Sequence, residues 1–124
     1  MKFRIAIIDD ESIVCQRLKK ILENEGYQTE TFQNGLPFLQ RMETYAFNLV
    51  FLDLKLPDIN GMEILSRLRE RHEDTEVIII TGYGTIETTR KAELVGAFDF
   101  IAKPFQMSMI HKLVKKASKQ ARKL

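Results

Sequence analysis

Residues 48 to 53 read NLVFLD, four large apolar residues in a row closed by an aspartate. A strand that is apolar on both faces must be covered on both faces, which is the situation of a central strand in a parallel sheet with helices above and below it. Working outward, four more apolar runs of strand length recur at regular intervals: Phe3 to Ile8, Tyr27 to Phe32, VIII at 77 to 80, and FDFIA at 98 to 102. In the second run Tyr27, Thr29 and Thr31 alternate with Gln28 and Glu30, the half-polar pattern of an edge strand.

Segments with helical periodicity separate the runs. Val14, Leu18, Ile21 and Leu22 share one face, with Gly26 placed to end the helix. A second helix from Leu36 to Thr44 offers Phe38, Leu39 and Met42 to the core, and a third follows Gly61 with Ile64, Leu65 and Leu68 in register. The fourth, from Thr85 to Val95, has a weak stripe of Ile86, Ala92, Leu94 and Val95, which predicts loose anchoring. The closing helix carries Met107, Ile110, Leu113, Val114, Ala117, Ala121 and Leu124. Strand and helix alternate five times, so the expected fold is α/β, a doubly wound five-stranded parallel sheet with five helices.

At 124 residues the chain has the length of one domain, and residues 1–124 are read as a single unit with no output domain. No apolar run approaches the ~20 residues of a membrane span, no signal peptide is visible, and the single Cys15 excludes an internal disulfide, all of which fits the cytoplasm. Net charge is +2, but Lys112, Lys115, Lys116, Lys119, Arg122 and Lys123 place +6 in the closing helix and leave −4 for the rest. A mildly acidic body argues against a nucleic-acid-binding groove, and the basic helix reads first as a solvated face and second as a contact for an acidic partner.

In an open α/β sheet the ligand site lies beyond the carboxyl ends of the strands. Asp9 and Asp10 follow the first strand, Asp53 the third, Thr81 and Gly82 the fourth, and Lys103 and Pro104 the fifth. Two carboxylates about 5 Å apart repel by about 3 kcal/mol at an effective dielectric near 20, so three together call for a cation. Mg²⁺ suits an all-oxygen site and leaves positions for phosphate oxygens; Lys103 adds a point charge, Thr81 a donor, and Gly82 room for approach. That set suits phosphoryl transfer, with Asp53 as an already ionised nucleophile. Taken singly, Asp9 and Asp10 could be helix N-caps, Thr81 a turn residue, Lys103 a surface lysine and Phe100 a core aromatic. Cys15 packs in the first helix, Glu11 and Ser12 begin that helix, and His72 and His111 read as exposed polar residues.

DDE after the first strand, DLKLPDING with Pro57 and Gly61 four and eight residues after Asp53, TG after the fourth strand and KPF after the fifth resemble the receiver domains of bacterial two-component response regulators. The texture of TGYGTIETTRKA and GAFDFIAKPF is closest to receivers of NtrC-type sigma-54-dependent activators. The resemblance implies a CheY-like, flavodoxin-like (βα)5 fold with strand order 2-1-3-4-5. It implies that Asp53 is the phosphoacceptor, that Asp10 and Asp53 bind Mg²⁺ with Asp9 acting largely through water, and that the Lys55 backbone carbonyl completes the metal site. Thr81 and Lys103 would hold the phosphoryl oxygens, Thr81 and Phe100 would form the switch, and the bond to Pro104 would be cis. The chain would be a signalling domain that catalyses its own phosphorylation and dephosphorylation. Its partners would be a sensor histidine kinase or phosphotransfer protein, with the fourth helix, fifth strand and fifth helix controlling an output domain or partner, or pairing in a phosphorylation-dependent homodimer. No contact with nucleic acid or membrane is implied.

A flavodoxin would need a first loop rich in Ser, Thr and Gly, where DDES repels phosphate. A haloacid-dehalogenase-type phosphatase expects a second Asp where Lys55 stands, and a cap insertion. A P-loop motif is absent, and five strands exclude an all-helical phosphotransfer bundle.

Overall fold

The computed structural model describes residues 3–82 and 84–122, without the side chains of 121 and 122. Ala121 and Leu124 of the closing apolar stripe therefore lie outside the described side chains. The elements alternate in the expected order: β1 (Arg4–Ile8), α1 (Ser12–Asn24), β2 (Gln28–Phe32), α2 (Gly35–Arg41), β3 (Leu49–Leu52), α3 (Gly61–Arg71), β4 (Glu76–Thr81), α4 (Ile86–Val95), β5 (Asp99–Ala102) and α5 (Met107–Arg122). All strand pairs are parallel in the order β2-β1-β3-β4-β5, so β3 is central and the half-polar β2 is an edge. Among the described residues no helix is long and apolar enough to cross a membrane.

The alternation of side chains along each strand divides the core in two. Ile5, Ile7, Leu49, Phe51, Ile78 and Ile80 face α1 and α5. Ala6, Ile8, Val50, Leu52, Val77 and Ile79 face α2, α3 and α4. Because both faces are covered, every residue of β3 is buried, as NLVFLD requires.

Helix α2 begins one residue before and ends three residues before the sequence expectation. Its N-cap residue Asn34 makes no side-chain cap; instead Asp58, from the loop after β3, accepts hydrogen bonds from Gly35 N at 2.9 Å and Leu36 N at 2.8 Å. A cap supplied from another element leaves no local signal.

Helix α4 is as weakly held as its composition predicts, but its stripe is narrower still. Ile86 and Leu94 are exposed, Val95 is half-buried, and Ala92 is its one buried residue. Thr85 and Thr88 form a capping box at its start. Its end is held from outside, where Arg69 of α3 donates to the Gly96 carbonyl while also bonding the His72 and Thr75 carbonyls of the α3–β4 connection. Gly96 takes φ +116° to close the helix, and a Cβ there would also lie 2.7 Å from Arg69 Cδ. Met107 of α5 is exposed as well, so the buried stripe of that helix starts at Ile110.

Partial burial pushes the Asp58 carboxyl up, but the amides of Leu36 and Gly35 outweigh it and hold it below the usual carboxylate range. Asp58→Ala is expected to cost about 0.5–2 kcal/mol as a lost helix cap. A carboxyl with a lowered folded-state pKa contributes stability above its unfolded pKa and loses it as pH falls through the folded one. Urea unfolding should therefore separate mutant from wild type at pH 7, and the gap should narrow in the acid range.

Candidate functional site

The sheet ladder continues past the strand ends and brings the predicted residues together. Asp9 N donates to Phe32 O at 2.9 Å, Asp53 N to Ile8 O at 2.9 Å and Lys103 N to Thr81 O at 3.0 Å. Asp9 and Asp53 thus sit side by side on neighbouring strands, both buried, with Thr81 buried at the end of β4. The loop after Asp53 is fixed by Gly61 N donating to Leu54 O at 2.9 Å. A Cβ on Gly61 would lie 2.5 Å from Leu54 Cα and 2.6 Å from Asp53 O, so only glycine lets α3 start this close to the loop. Asn60 caps α3 by accepting from Met62 N.

Asp9, Asp10, Glu11 and Asp53 each offer a carboxylate oxygen, and the four atoms lie within 4.8 Å of one another. Lys103 Nζ reaches into the cluster, 2.7 Å from Asp9 Oδ2, 2.8 Å from Glu11 Oε1 and 3.1 Å from Asp53 Oδ2. Asp9 Oδ1 accepts from Glu11 N at 2.9 Å, and Asp53 Oδ1 from Lys55 N at 3.1 Å. Asp9 is therefore not a helix N-cap: Glu11 holds that place in α1, and its side chain makes no cap.

Burial pushes the Asp9 carboxyl up, the nearby Asp53 charge adds to this, and the Lys103 and Glu11 N–H groups pull against it. Burial works against the Lys103 ammonium, but the contacts with the Asp9, Glu11 and Asp53 carboxylates outweigh it and hold the pKa above its ordinary value. Cys15 donates its thiol to Asp9 O at 3.3 Å, and burial first, then the Asp9 charge, raises its pKa to about 11, so it packs as an inert neighbour of the site.

The donor set fits a hard divalent cation. It is all oxygen, and Asp9 Oδ2 is buried with no directional hydrogen-bond partner among the described residues, its contact with Lys103 being an ion pair alone.

Glu11 is the residue that sequence reasoning missed. An acid at a helix start has a sufficient local explanation in the helix dipole. Its contact with Lys103 spans 92 positions and has no local trace. The space beside Gly82 is open, since a Cβ at that position would meet nothing within 4 Å, whereas Gly84 is crowded by the Phe100 ring at 2.7 Å. Phe100 is half-buried, against the core on the α2, α3 and α4 side, at the rim of a groove of about 300 Å³ shared with Pro104, Phe105 and Met109. The Lys103–Pro104 peptide is cis. His72 and His111 stand apart from the site and are half-buried rather than exposed. His72 ends α3, and His111 Nδ1 lies 3.0 Å from Glu25 Oε1.

Known proteins resemble this chain in sequence and fold. The chain is 37% identical over 116 residues to the sporulation initiation phosphotransferase F of Bacillus subtilis strain 168, covering 94% of each. Other curated relatives are longer, and the chain spans from 25% to 58% of their length. Among solved structures, the CheY-like response regulator receiver domain protein from Methanospirillum hungatei JF-1 superposes over the whole of both chains with a TM-score of 0.92 at 31% identity. The beryllofluoride-activated NtrC4 receiver domain dimer matches at 0.91 and 31%, over 95% of this chain and 98% of that one. Residues 5–115, from the first buried residue of β1 to the middle of α5, match the response regulator receiver domain, and the chain belongs to that family.

Proposed function

We propose that Asp53 is the phosphoacceptor of this receiver and that Asp9, Asp10, Asp53 and the Lys55 backbone carbonyl hold Mg²⁺ beside it. The observation that carries this reading is the pairing of a buried Asp53 with a lysine ammonium 3.1 Å away inside a cluster of four carboxylates. A carboxylate nucleophile needs no base, and the bond from Asp53 N to Ile8 O fixes the backbone that carries it at the end of the central strand. Bound there, Mg²⁺ would neutralise the carboxylates and supply coordination positions for phosphate oxygens. Lys103 and Thr81 hold the phosphoryl oxygens, the first by charge and the second by its hydroxyl. Autophosphorylation and dephosphorylation are carried by this same set of residues.

The same reading makes Thr81 and Phe100 the switch. The Thr81 methyl and the Phe100 ring both line the space around Gly84, so movement of one changes the room left for the other. Phe100 has no hydroxyl, so its two positions differ by packing alone. The responding surface is α4, β5 and α5, where Ile86, Leu94, Met107 and Met109 are exposed. The donor is a phosphohistidine on a sensor kinase or phosphotransfer protein, or a small phosphodonor. The reader of the changed surface is an output domain of the sigma-54 activator type, a separate partner or a second copy; the NtrC4 receiver dimer supports the last. Residues 1–124 act as one receiver unit.

Incubation with Mg²⁺ and acetyl phosphate should add one phosphate by intact mass, and Asp53→Asn should abolish the adduct; an adduct that survives in the mutant would remove Asp53 from its role. Lys103→Ala leaves the carboxylates without their internal cation, so Mg²⁺ affinity by titration should be no weaker than wild type. In the same variant, phosphorylation-dependent hydrogen exchange across α4, β5 and α5 should be lost.

A further inference from the structure

We propose that Glu11 is a positioning residue of the receiver site: its carboxylate holds Lys103 in the unphosphorylated chain and is the contact Lys103 gives up when a phosphoryl group arrives on Asp53. This rests on the reading of Asp53 as phosphoacceptor. An ammonium has three N–H donors, and Lys103 already faces three carboxylates, Asp9 at 2.7 Å, Glu11 at 2.8 Å and Asp53 at 3.1 Å. Its N–H groups bond Glu11 and Asp53 while Asp9 pairs with it by charge, so a phosphoryl oxygen on Asp53 competes with all three for the one ammonium.

The three contacts are not equivalent. The side chains of Asp9 and Asp53 are 0% and 3% exposed and stand on adjacent strands, where the ladder bonds of their own amides fix them. In the metal-free chain, removing the ammonium from either strands a buried carboxylate, the more costly kind of break; with Mg²⁺ bound, both stay fixed on the metal, and Glu11 is still the contact free to turn to water. The Glu11 side chain is 60% exposed, and on release its carboxylate passes directly into water. Exposed ion pairs are worth little, so this is the contact that yields.

The local structure points the same way. Glu11 occupies the N-cap place of α1, where Ser, Thr, Asp or Asn would bond the first-turn amides, yet its side chain makes no such bond and is turned to Lys103 instead. Its backbone is tied to the site, because Glu11 N donates to Asp9 Oδ1 at 2.9 Å. Residue 11 therefore presents a carboxylate to Lys103 from a fixed base on a yielding arm.

The test is a beryllofluoride titration at saturating Mg²⁺ with wild type and Glu11→Gln, which keeps the shape of the side chain and removes no cap. Without the competing carboxylate the variant should bind beryllofluoride about two- to fivefold more tightly at low ionic strength, the range expected of an exposed ion pair, and the gain should shrink as salt rises. In wild type the side-chain carboxyl carbon resonance of Glu11 should move as beryllofluoride binds, and the Lys103 ε-methylene resonances of the free protein should differ between wild type and variant. Equal or weaker binding by Glu11→Gln, or a Glu11 carboxyl resonance that stays in place while the ligand binds, would overturn the role assigned to Glu11 and leave Asp53 untouched. Failure of wild type to bind beryllofluoride with Mg²⁺ would remove the phosphoacceptor reading and this inference together.

Discussion

The ammonium of Lys103 holds together charges that would otherwise drive the strand ends apart. Asp9 and Asp53 are buried side by side because β1 and β3 are neighbours and both ladders run one residue further than the strands themselves. Burying two carboxylates costs several kcal/mol each unless a counter-charge and hydrogen bonds offset it. Here the offset comes from the end of β5, two strands away from β3 and joined to it through β4. The sheet is therefore more than a platform for the site. Its order decides which charges meet, and the cluster in turn favours the register that keeps Lys103 within reach of all three acids.

Much of this was legible in the sequence, for a physical reason. Strands buried on both faces must be apolar throughout, so NLVFLD and VIII announce themselves, and the polar alternation of β2 marks its place at the edge. Asp9, Asp10, Thr81 and Lys103 are individually ambiguous, and the rule that ligand sites gather at the carboxyl ends of parallel strands makes them a set with Asp53. What escaped is what depends on side chains arriving from elsewhere in the chain. Asp58 starts α2 from the loop after β3, Glu11 leaves its helix to meet Lys103, and Arg69 reaches the end of α4. Periodicity reports which face of an element is buried and is silent on which polar group a distant loop will deliver.

Two contacts bracket the segment after Asp53. Gly61 allows α3 to begin against the Asp53 carbonyl, and Asp58 fastens the intervening loop to α2. The backbone that follows the Asp53 carboxylate is thus fixed by contacts that place no side chain in the pocket itself. The acidic face stays open while its floor is rigid, which is the combination that positioning chemistry requires.

The weak attachment of α4 has a thermodynamic consequence. Its one buried side chain, Ala92, offers a single methyl to the core, worth about 0.8 kcal/mol for a group of that size, half-buried Val95 packs beside it, and one Arg69 bond acts at its end. For a helix held this lightly, a bias of about 1.4 kcal/mol would change the ratio of any two placements tenfold. The poor amphipathicity of TIETTRKAELV is then the property that keeps the cost of displacing this helix low.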